Sequence, residues 1–191
     1  MSAQSGSTSE LRASGLKVRA IFLVGHMGAG KSSVGRALSN ILSLPFEDLD
    51  DRIELRAGRT VAEIFRLTGE AEFRRAEHDA LRELLQRDLP RIIALGGGAF
   101  AQKENVQLLS RSHYVSVFLD GPAEELFNRC QRQSLQRPLL SSKEHFANLY
   151  EKRRVYYNSA SLRIDTSGKA VEEIARELAK EFEGRLIQKN S

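Results

Sequence analysis

A glycine-rich stretch restricts the fold of this chain more than any other feature of its sequence. Residues 25–32 read Gly-His-Met-Gly-Ala-Gly-Lys-Ser, which matches the phosphate-binding loop pattern G-x-x-x-x-G-K-[S/T]. Such a loop joins a buried strand to a helix, because its backbone N–H groups surround phosphate oxygens at the positive end of the helix dipole. The chain must therefore contain the strand–loop–helix unit of an α/β protein.

The residues on both sides of the loop fit that requirement. Residues 18–24 form a short apolar run that predicts a buried parallel strand. After the loop, apolar side chains recur at the spacing of a helix that packs on a sheet: Val34, Ala37, Leu38, Ile41 and Leu42. We therefore expect a nucleoside triphosphate here, with Lys31 at its β- and γ-phosphates and the Ser32 hydroxyl on Mg²⁺. The alternative is a glycine turn before a helix that binds no ligand.

The rest of the chain alternates apolar runs with amphipathic stretches, which is typical of a parallel α/β sandwich. Strands are predicted at residues 18–24, 44–48, 91–95, 114–119 and 162–164. Helices are predicted at residues 31–42, 50–56, 61–67, 70–87, 122–131, 143–157 and 170–185. The sequence contains no internal repeat and no sign of a second domain. We therefore expect a three-layer α/β/α sandwich around a five-stranded parallel sheet over residues 18–187, preceded by a flexible tail over residues 1–17.

Composition and charge exclude several classes of protein. The chain has 191 residues, of which 41% are hydrophobic and 28% are charged, as in one soluble domain. It contains no apolar run of membrane-spanning length, and residues 1–17 lack the apolar core of a secretory signal. The single cysteine, Cys130, is interpreted as a small hydrophobe on a helix and predicts a reducing, cytoplasmic location. The net charge is +4, but basic residues are scattered among acidic ones, so we expect no nucleic-acid partner.

Candidate chemistry follows the second and third predicted strands, since ligands of parallel sheets bind beyond the carboxyl ends of the strands. Asp48 and Asp50 would point to the same side of an extended segment. One carboxylate could hold waters of Mg²⁺ while the other accepts a proton from a hydroxyl, or Asp50 or Asp51 only caps the next helix. The three glycines at residues 96–98 let the backbone approach a ligand, or they only form a tight turn.

Two arginines occupy positions that a purely structural helix would not give them. Arg153 lies in the middle of the apolar face formed by Phe146, Leu149, Tyr150 and Tyr157. Arg74 lies at the border of an apolar stripe, with Glu77 one turn later as a possible partner. Because a guanidinium forms a fork that matches a carboxylate, the two arginines predict a carboxylate substrate. The alternatives are a buried structural pair for Arg153 and a surface pair of Arg74 with Glu77 or His78.

A polar connection between two predicted helices supplies a further candidate. It contains an isolated Arg137-Pro138 pair within residues 133–142. In nucleotide kinases such a segment closes over the phosphates, excludes water and brings positive charge to the transition state. We therefore predict a lid over about residues 131–143 with Arg137 as a catalytic residue. The alternative is a rigid surface loop.

Together these motifs resemble the shikimate kinases. The shared runs, in chain order, are GHMGAGKSSVG at residues 25–35, DLD at 48–50, GEAEFRR at 69–75, GGG at 96–98 and RPLL at 137–140. The resemblance extends from about residue 18 to residue 183 and implies a nucleoside-monophosphate-kinase-like P-loop fold with a lid. It also implies transfer of the γ-phosphoryl group of Mg·ATP to the 3-hydroxyl of shikimate in aromatic amino-acid biosynthesis, by a cytoplasmic monomer.

The resemblance also implies a role for each matching residue. ATP would be bound by Gly28, Ala29, Gly30, Lys31, Ser32, Ser33, Arg129, Arg137 and Lys169. Mg²⁺ would be held by Ser32 and, through water, by Asp48. Shikimate would be bound by Asp50, Arg74, Gly96, Gly97, Gly98 and Arg153, the two arginines at its carboxylate and Asp50 at its ring hydroxyls. The expected catalytic residues are Lys31, Asp50 and Arg137.

The sequence departs from the family pattern at two places. The stretch from Arg129 to Arg137 is one residue longer than the family pattern predicts, a difference that concerns lid closure and not the chemistry. The family usually carries Arg-x-Pro-Leu-Tyr where residues 153–157 read Arg-Arg-Val-Tyr-Tyr, so Arg154 offers a competing register for Arg153. Only Arg153 lies on the apolar face. His26 occupies a loop position at which the family varies, and we expect its side chain to face solvent.

Two other functions stay open at this stage. One is a kinase of another small polyol acid, such as gluconate, which would share the loop and a similar fold. The other is a module that binds ATP and shikimate without turnover.

Overall fold

Five parallel strands form the centre of the fold, in the order β2-β3-β1-β4-β5. The computed structural model describes residues 18–87, 90–110, 113–133, 142–183 and 185–186. The strands are β1 (Ala20–Val24), β2 (Phe46–Asp48), β3 (Arg91–Ala94), β4 (Tyr114–Asp120) and β5 (Leu162–Asp165). The predicted five-stranded parallel sheet is confirmed. The first two strands begin two residues later than predicted, because pairing with the neighbouring strands starts only at Ala20 and Phe46.

Seven α-helices lie in the described part of the chain. They are α1 (Lys31–Leu42), α2 (Leu49–Ala57), α3 (Val61–Leu85), α4 (Lys103–Leu109), α5 (Ala123–Gln133), α6 (Lys143–Tyr157) and α7 (Val171–Phe182). Helix α1 packs against α7, α2 against α3, and α5 against α6. The predicted α/β/α fold is therefore confirmed. Among the helices so described, none has the length and apolar character needed to cross a membrane.

The sheet is buried because helices cover it on both faces. Every residue of the central strand β1 is at most 3% exposed. Helix α1 lies close to β2, since a Cβ atom on Gly35 would be 2.2 Å from the ring of Phe46. Cys130 on α5 is also buried, as expected for a small hydrophobe on a helix.

The helices predicted at residues 61–67 and 70–87 form one element, α3, which is interrupted at Gly69. The backbone there has φ 82° and ψ 172°, a region that glycine adopts but side-chain-bearing residues almost never do. Thr60 and Glu63 form a capping box at the start of the first half. The interruption divides the helix into two halves, and the second half carries Arg74.

Helix α4 and a 3-10 turn at Ala99–Ala101 have no counterpart among the predicted elements. The Asn105 side chain of α4 is fully buried and donates to the Ala99 carbonyl at 3.1 Å. Its Oδ1 atom lies 2.9 Å from Nδ1 of His78 on α3. A helix of seven residues is too short for apolar periodicity to reveal it in the sequence.

His26 is fully buried, so the expectation that it faces solvent is wrong. Its ring centroid lies 4.6 Å from that of Phe146 and 5.4 Å from that of Tyr150, both on α6. Neither ring nitrogen has a hydrogen-bond partner among the residues that the structure describes. Burial, aided by the positive charges of Arg153 and Lys31, lowers the pKa of His26 to about 3. Sequence periodicity could not show that α6 covers the start of the loop.

Replacement of His26 by Phe is expected to stabilise the protein, because it removes two buried nitrogens that lack partners. An unsatisfied buried polar group costs about 1–3 kcal/mol, and each kcal/mol corresponds to roughly 2–4 °C in melting temperature for a chain of this size. The gain should grow as the pH falls from 6.5 towards 3, since in that window His26 binds a proton in the unfolded chain but not in the folded one. Thermal unfolding at neutral pH and at about pH 5 measures both effects.

His26→Leu serves as a second variant in case the larger phenylalanine ring overfills the site. If both variants were less stable than the parent and had the same pH dependence, the histidine ring would have a stabilising partner and the burial argument would be wrong.

Candidate active site

The loop between β1 and α1 has the shape of a phosphate cradle. Gly28 and Gly30 have φ values of 80° and 83°, in the left-handed region that favours glycine. A Cβ atom on Gly28 would also lie 2.2 Å from the Leu126 carbonyl oxygen on α5. A side chain at this position would strain the backbone and collide with α5, so both the backbone conformation and the available space require glycine.

Positive charge is concentrated at this loop. The Lys31 ammonium donates to the carbonyl oxygens of Gly25 at 2.9 Å and His26 at 3.0 Å, so it lies over the loop. Helix α1 starts at Lys31 with Gly30 as its N-cap residue, and its first N–H groups add the positive end of the helix dipole. The strand–loop–helix unit expected from the sequence is present, and its electrostatics suit a phosphate chain.

Ser32 and Asp48 bring two oxygens together beside the loop. Ser32 Oγ donates to Asp48 Oδ2 at 2.6 Å. Asp48 is also the N-cap residue of α2, where its Oδ1 atom accepts from the Asp50 backbone N–H at 3.1 Å. Hydroxyl and carboxylate oxygens are ligands that suit Mg²⁺, so the pair fits the expected metal.

The expectation that Asp48 and Asp50 point to the same side of an extended segment is wrong. Strand β2 ends at Asp48 and α2 begins at the next residue, which puts Asp50 in the first helical turn. The capping alternative named the wrong residue as well, because the cap is Asp48 rather than Asp50 or Asp51. Asp50 instead points to a second loop, which follows β3.

The three glycines of that second loop, residues 96–98, leave room for side chains from other elements. A Cβ atom on Gly96 would lie 2.6 Å from Asp50 Oδ1, and one on Gly98 would lie 2.5 Å from Arg74 Nη2. None of the three has a positive φ, so they are required for space and not for backbone conformation. We call residues 96–98 the glycine loop.

Arg153 approaches the glycine loop, whereas Arg154 does not. A Cβ atom on Gly97 would lie 3.4 Å from Arg153 Nη1 and 3.7 Å from the Gly25 carbonyl oxygen of the phosphate loop. Arg154 instead pairs with Asp120 at 3.2 Å, at the end of β4. The structure therefore brings Arg153, Arg74 and Asp50 to the glycine loop, directly beside the phosphate loop.

Glu77 is a site residue that the sequence analysis identified only as a possible partner of Arg74. Its side chain is 1% exposed and accepts from Arg74 Nη1 at 2.9 Å, so the pair of Arg74 with Glu77 does form, but it is buried and does not lie on the surface. A Cβ atom on Gly96 would lie 3.3 Å from Glu77 Oε1. Burial raises the pKa of Glu77 to about 7, against the opposing effect of Arg74. The sequence did contain a signal for this residue, because Glu77 interrupts the apolar stripe of α3 just as Arg153 interrupts that of α6.

Arg129 and Lys169 lie apart from the glycine loop, at the segment that follows β5. Arg129 Nη2 donates to the Thr166 carbonyl at 2.8 Å and pairs with Glu125 at 2.5 Å. Lys169 pairs with Glu177 at 2.7 Å. Arg137 lies outside the described residues, as do the predicted tail and most of the predicted lid.

Comparison with known sequences identifies the family. A family model described as shikimate kinase matches residues 27–183. The chain is 38% identical to a shikimate kinase of Flavobacterium johnsoniae over 164 residues, which cover 83% of this chain and 95% of the relative. It is 36% identical to a shikimate kinase of Aquifex aeolicus over 168 residues, 87% of this chain and 98% of the relative.

Comparison with solved structures agrees. A shikimate kinase from Acinetobacter baumannii, solved in complex with shikimate, has a TM-score of 0.79 and 33% identity over 89% of this chain and 95% of its own. A gluconokinase from Sinorhizobium meliloti, with a TM-score of 0.59 and 18% identity over 87% of this chain and 93% of its own, shares the fold alone. The family match spans most of the chain, and the relatives exceed 30% identity over most of both lengths. This chain therefore belongs to the shikimate kinase family and is an ATP-dependent kinase that phosphorylates a hydroxyl group.

Proposed function

We propose that this protein transfers the γ-phosphoryl group of Mg·ATP to the 3-hydroxyl of shikimate, with ADP and shikimate 3-phosphate as products. One observation carries the proposal: Arg74, Arg153 and Asp50 converge on a glycine loop that lies against the phosphate loop. Shikimate carries one carboxylate and several ring hydroxyls, which match two guanidinium groups and one carboxylate. The relative from Acinetobacter baumannii that was solved with shikimate supports the choice of this ligand.

On the nucleotide side, residues 28–33 would surround the triphosphate, with the Lys31 ammonium at the β- and γ-phosphates. Ser32 would hold Mg²⁺ directly and Asp48 would hold it through water, as their 2.6 Å contact allows. The bound metal would supply neutralisation of the phosphate charge. Arg129 and Lys169, next to the segment after β5, would contact the nucleotide, and Arg137 stays a predicted phosphate-binding residue of the lid.

On the acceptor side, the guanidinium groups of Arg74 and Arg153 would hold the carboxylate of shikimate. Asp50 would accept a hydrogen bond from a ring hydroxyl, orient it towards the γ-phosphate and take its proton as the new bond forms. Because the transition state of phosphoryl transfer is loose, positioning and charge neutralisation supply most of the acceleration. Rigid elements support this role, since the three side chains come from helices α2, α3 and α6.

The proposal describes an enzyme that acts as a monomer in the cytoplasm. The monomeric state stays a prediction. The cytoplasmic location stays a prediction from the sequence.

The direct test is ADP release from Mg·ATP by the purified protein with shikimate, with gluconate and without acceptor. We expect ADP release only with shikimate, and phosphorus NMR should show the new phosphate ester on the 3-hydroxyl. ADP release with gluconate alone would favour a gluconate kinase. If no ADP is released with either acceptor, but ATP and shikimate both bind measurably, a module that binds without turnover would be favoured.

Arg153→Ala is expected to raise the shikimate KM roughly 30- to 150-fold, because a lost charge-assisted contact costs about 2–3 kcal/mol. The KM for ATP should stay nearly unchanged. Arg154→Ala is the matched control, since it removes a neighbouring guanidinium that pairs with Asp120. It should lower stability and leave the shikimate KM unaltered. Steady-state kinetics of both variants show which of the two arginines binds the carboxylate of shikimate. The reverse pattern would assign it to Arg154.

Asp50→Asn is expected to lower kcat roughly 100- to 10,000-fold, because the amide keeps the shape of the carboxylate but cannot take a proton. Equilibrium binding of ATP should change far less than kcat. The measurement is kcat at saturating shikimate, together with calorimetric titration of the nucleotide. A variant with near-normal kcat would remove Asp50 from the catalytic residues.

A further inference from the structure

The hydroxyl of Tyr157, at the last residue of α6, lies where two parts of the proposed substrate site meet. It donates to the Gly97 carbonyl oxygen in the middle of the glycine loop. The guanidinium of Arg153, one helical turn earlier on α6, lies near the same place, because a Cβ atom on Gly97 would be 3.4 Å from Arg153 Nη1 and 3.7 Å from the Tyr157 hydroxyl oxygen. The Tyr157 hydroxyl is thus bonded to the backbone of the glycine loop at the point where Arg153 approaches that loop.

The chemistry of a phenol suits this arrangement. A tyrosine hydroxyl has one proton to donate and lone pairs to accept with, whereas a guanidinium can only donate and a carbonyl can only accept. A hydroxyl that donates its proton to the Gly97 carbonyl therefore still has lone pairs that can accept a hydrogen bond from Arg153. Tyr157 is 0% exposed, so water has little access to replace the hydrogen bond of its hydroxyl.

The position of the ring does not by itself explain the hydroxyl. The ring packs on Phe118 of β4 with the centroids 5.2 Å apart, a contact that a phenylalanine would also make. The hydroxyl adds a hydrogen bond to the Gly97 carbonyl in a buried place, where a lost partner is costly. Burial also raises the pKa of Tyr157 to about 12, despite the opposing charge of Arg153, so the hydroxyl keeps its proton at neutral pH and stays a donor.

We propose that Tyr157 is a positioning residue whose hydroxyl holds the Arg153 guanidinium and the Gly97 backbone in the arrangement that receives the carboxylate of the substrate. The proposal rests on the proposed function, because it assumes that Arg153 binds that carboxylate. Tyr157 itself needs no contact with the substrate. Its effect is to restrict the Arg153 side chain before binding, so that less conformational entropy is lost when the substrate binds.

Tyr150 provides a matched control on the same helix. It lies two turns before Tyr157, it is also buried, and its hydroxyl donates to Asp120 and contacts the Gly121 carbonyl oxygen at 3.1 Å. These partners lie at the end of β4 and not in the glycine loop. Tyr150→Phe therefore removes a buried hydroxyl of the same kind without touching Arg153 or Gly97.

The test compares Tyr157→Phe and Tyr150→Phe with the parent enzyme. For Tyr157→Phe we expect the shikimate KM to rise roughly 2- to 13-fold, the effect of one net hydrogen bond, while kcat and the ATP KM change less than about twofold. For Tyr150→Phe we expect a lower melting temperature and an unchanged shikimate KM. A purely structural role of the Tyr157 hydroxyl would lower stability alone.

A double-mutant cycle with Arg153→Ala tests whether Tyr157 acts through the arginine. If it does, Tyr157→Phe should raise the shikimate KM no further when Arg153 is already absent. Independent, multiplying effects would overturn the proposal, as would an unchanged shikimate KM in Tyr157→Phe. Tyr157→Met, with a flexible apolar side chain, is the second variant if phenylalanine is not tolerated, and the same rise in KM is expected.

The outcomes separate this inference from the proposed function. A parent enzyme that does not phosphorylate shikimate would contradict the proposed function before any variant is compared. A parent that phosphorylates shikimate, with Arg153→Ala impaired and Tyr157→Phe normal, would leave the proposed function in place and overturn only the role of Tyr157.

Discussion

The pairing of β1 with β3 is the constraint on which the candidate site depends. Leu23 is paired with Ala94, so both strands end at the same edge of the sheet. The phosphate loop follows one strand and the glycine loop follows the other, and the two loops therefore lie side by side. A donor site and an acceptor site for phosphoryl transfer must be adjacent, because the reacting atoms have to come within about 3–3.5 Å. Two parallel neighbouring strands meet that requirement without any further element.

Burial and nearby charges shift the pKa values of two side chains around these loops. Lys31, Arg74 and Arg153 concentrate positive charge in a small and partly buried volume, which suits a triphosphate and a carboxylate as ligands. The same charges help to keep the buried His26 neutral, with a pKa of about 3. Burial likewise disfavours the charged form of Glu77 and raises its pKa to about 7, against the opposing charge of Arg74.

Helix α6 connects the two halves of the site. Phe146 and Tyr150 pack on His26 at the start of the phosphate loop, whereas Arg153 and Tyr157 contact the glycine loop. These residues recur at helical spacing on one face, so one rigid element touches both loops. This also explains why an arginine occurs on an apolar face. Arg153 is where the face leaves the core and meets the site.

The sequence by itself determined the sheet, six of the seven described helices and most of the residues that converge on the site. Strand and helix periods report burial on local elements, and the phosphate-loop pattern is a local motif that needs only its own strand and helix. The inward position of Arg153 was readable for the same reason, since it interrupts an apolar stripe. Helix α4 was not readable, because it is short and a side-chain contact with the distant His78 helps to hold it.

Only the tertiary structure decided which atoms face one another. In the folded protein, Arg153 approaches the glycine loop whereas Arg154 pairs with Asp120. Asp48 is the N-cap residue of α2, and His26 is buried. Glu77 lies beside Asp50 and Arg74. Each of these outcomes depends on contacts between elements that are far apart in the chain. Periodicity within one element states which side of it is buried, but the partner on that side is chosen by the packing of the whole domain.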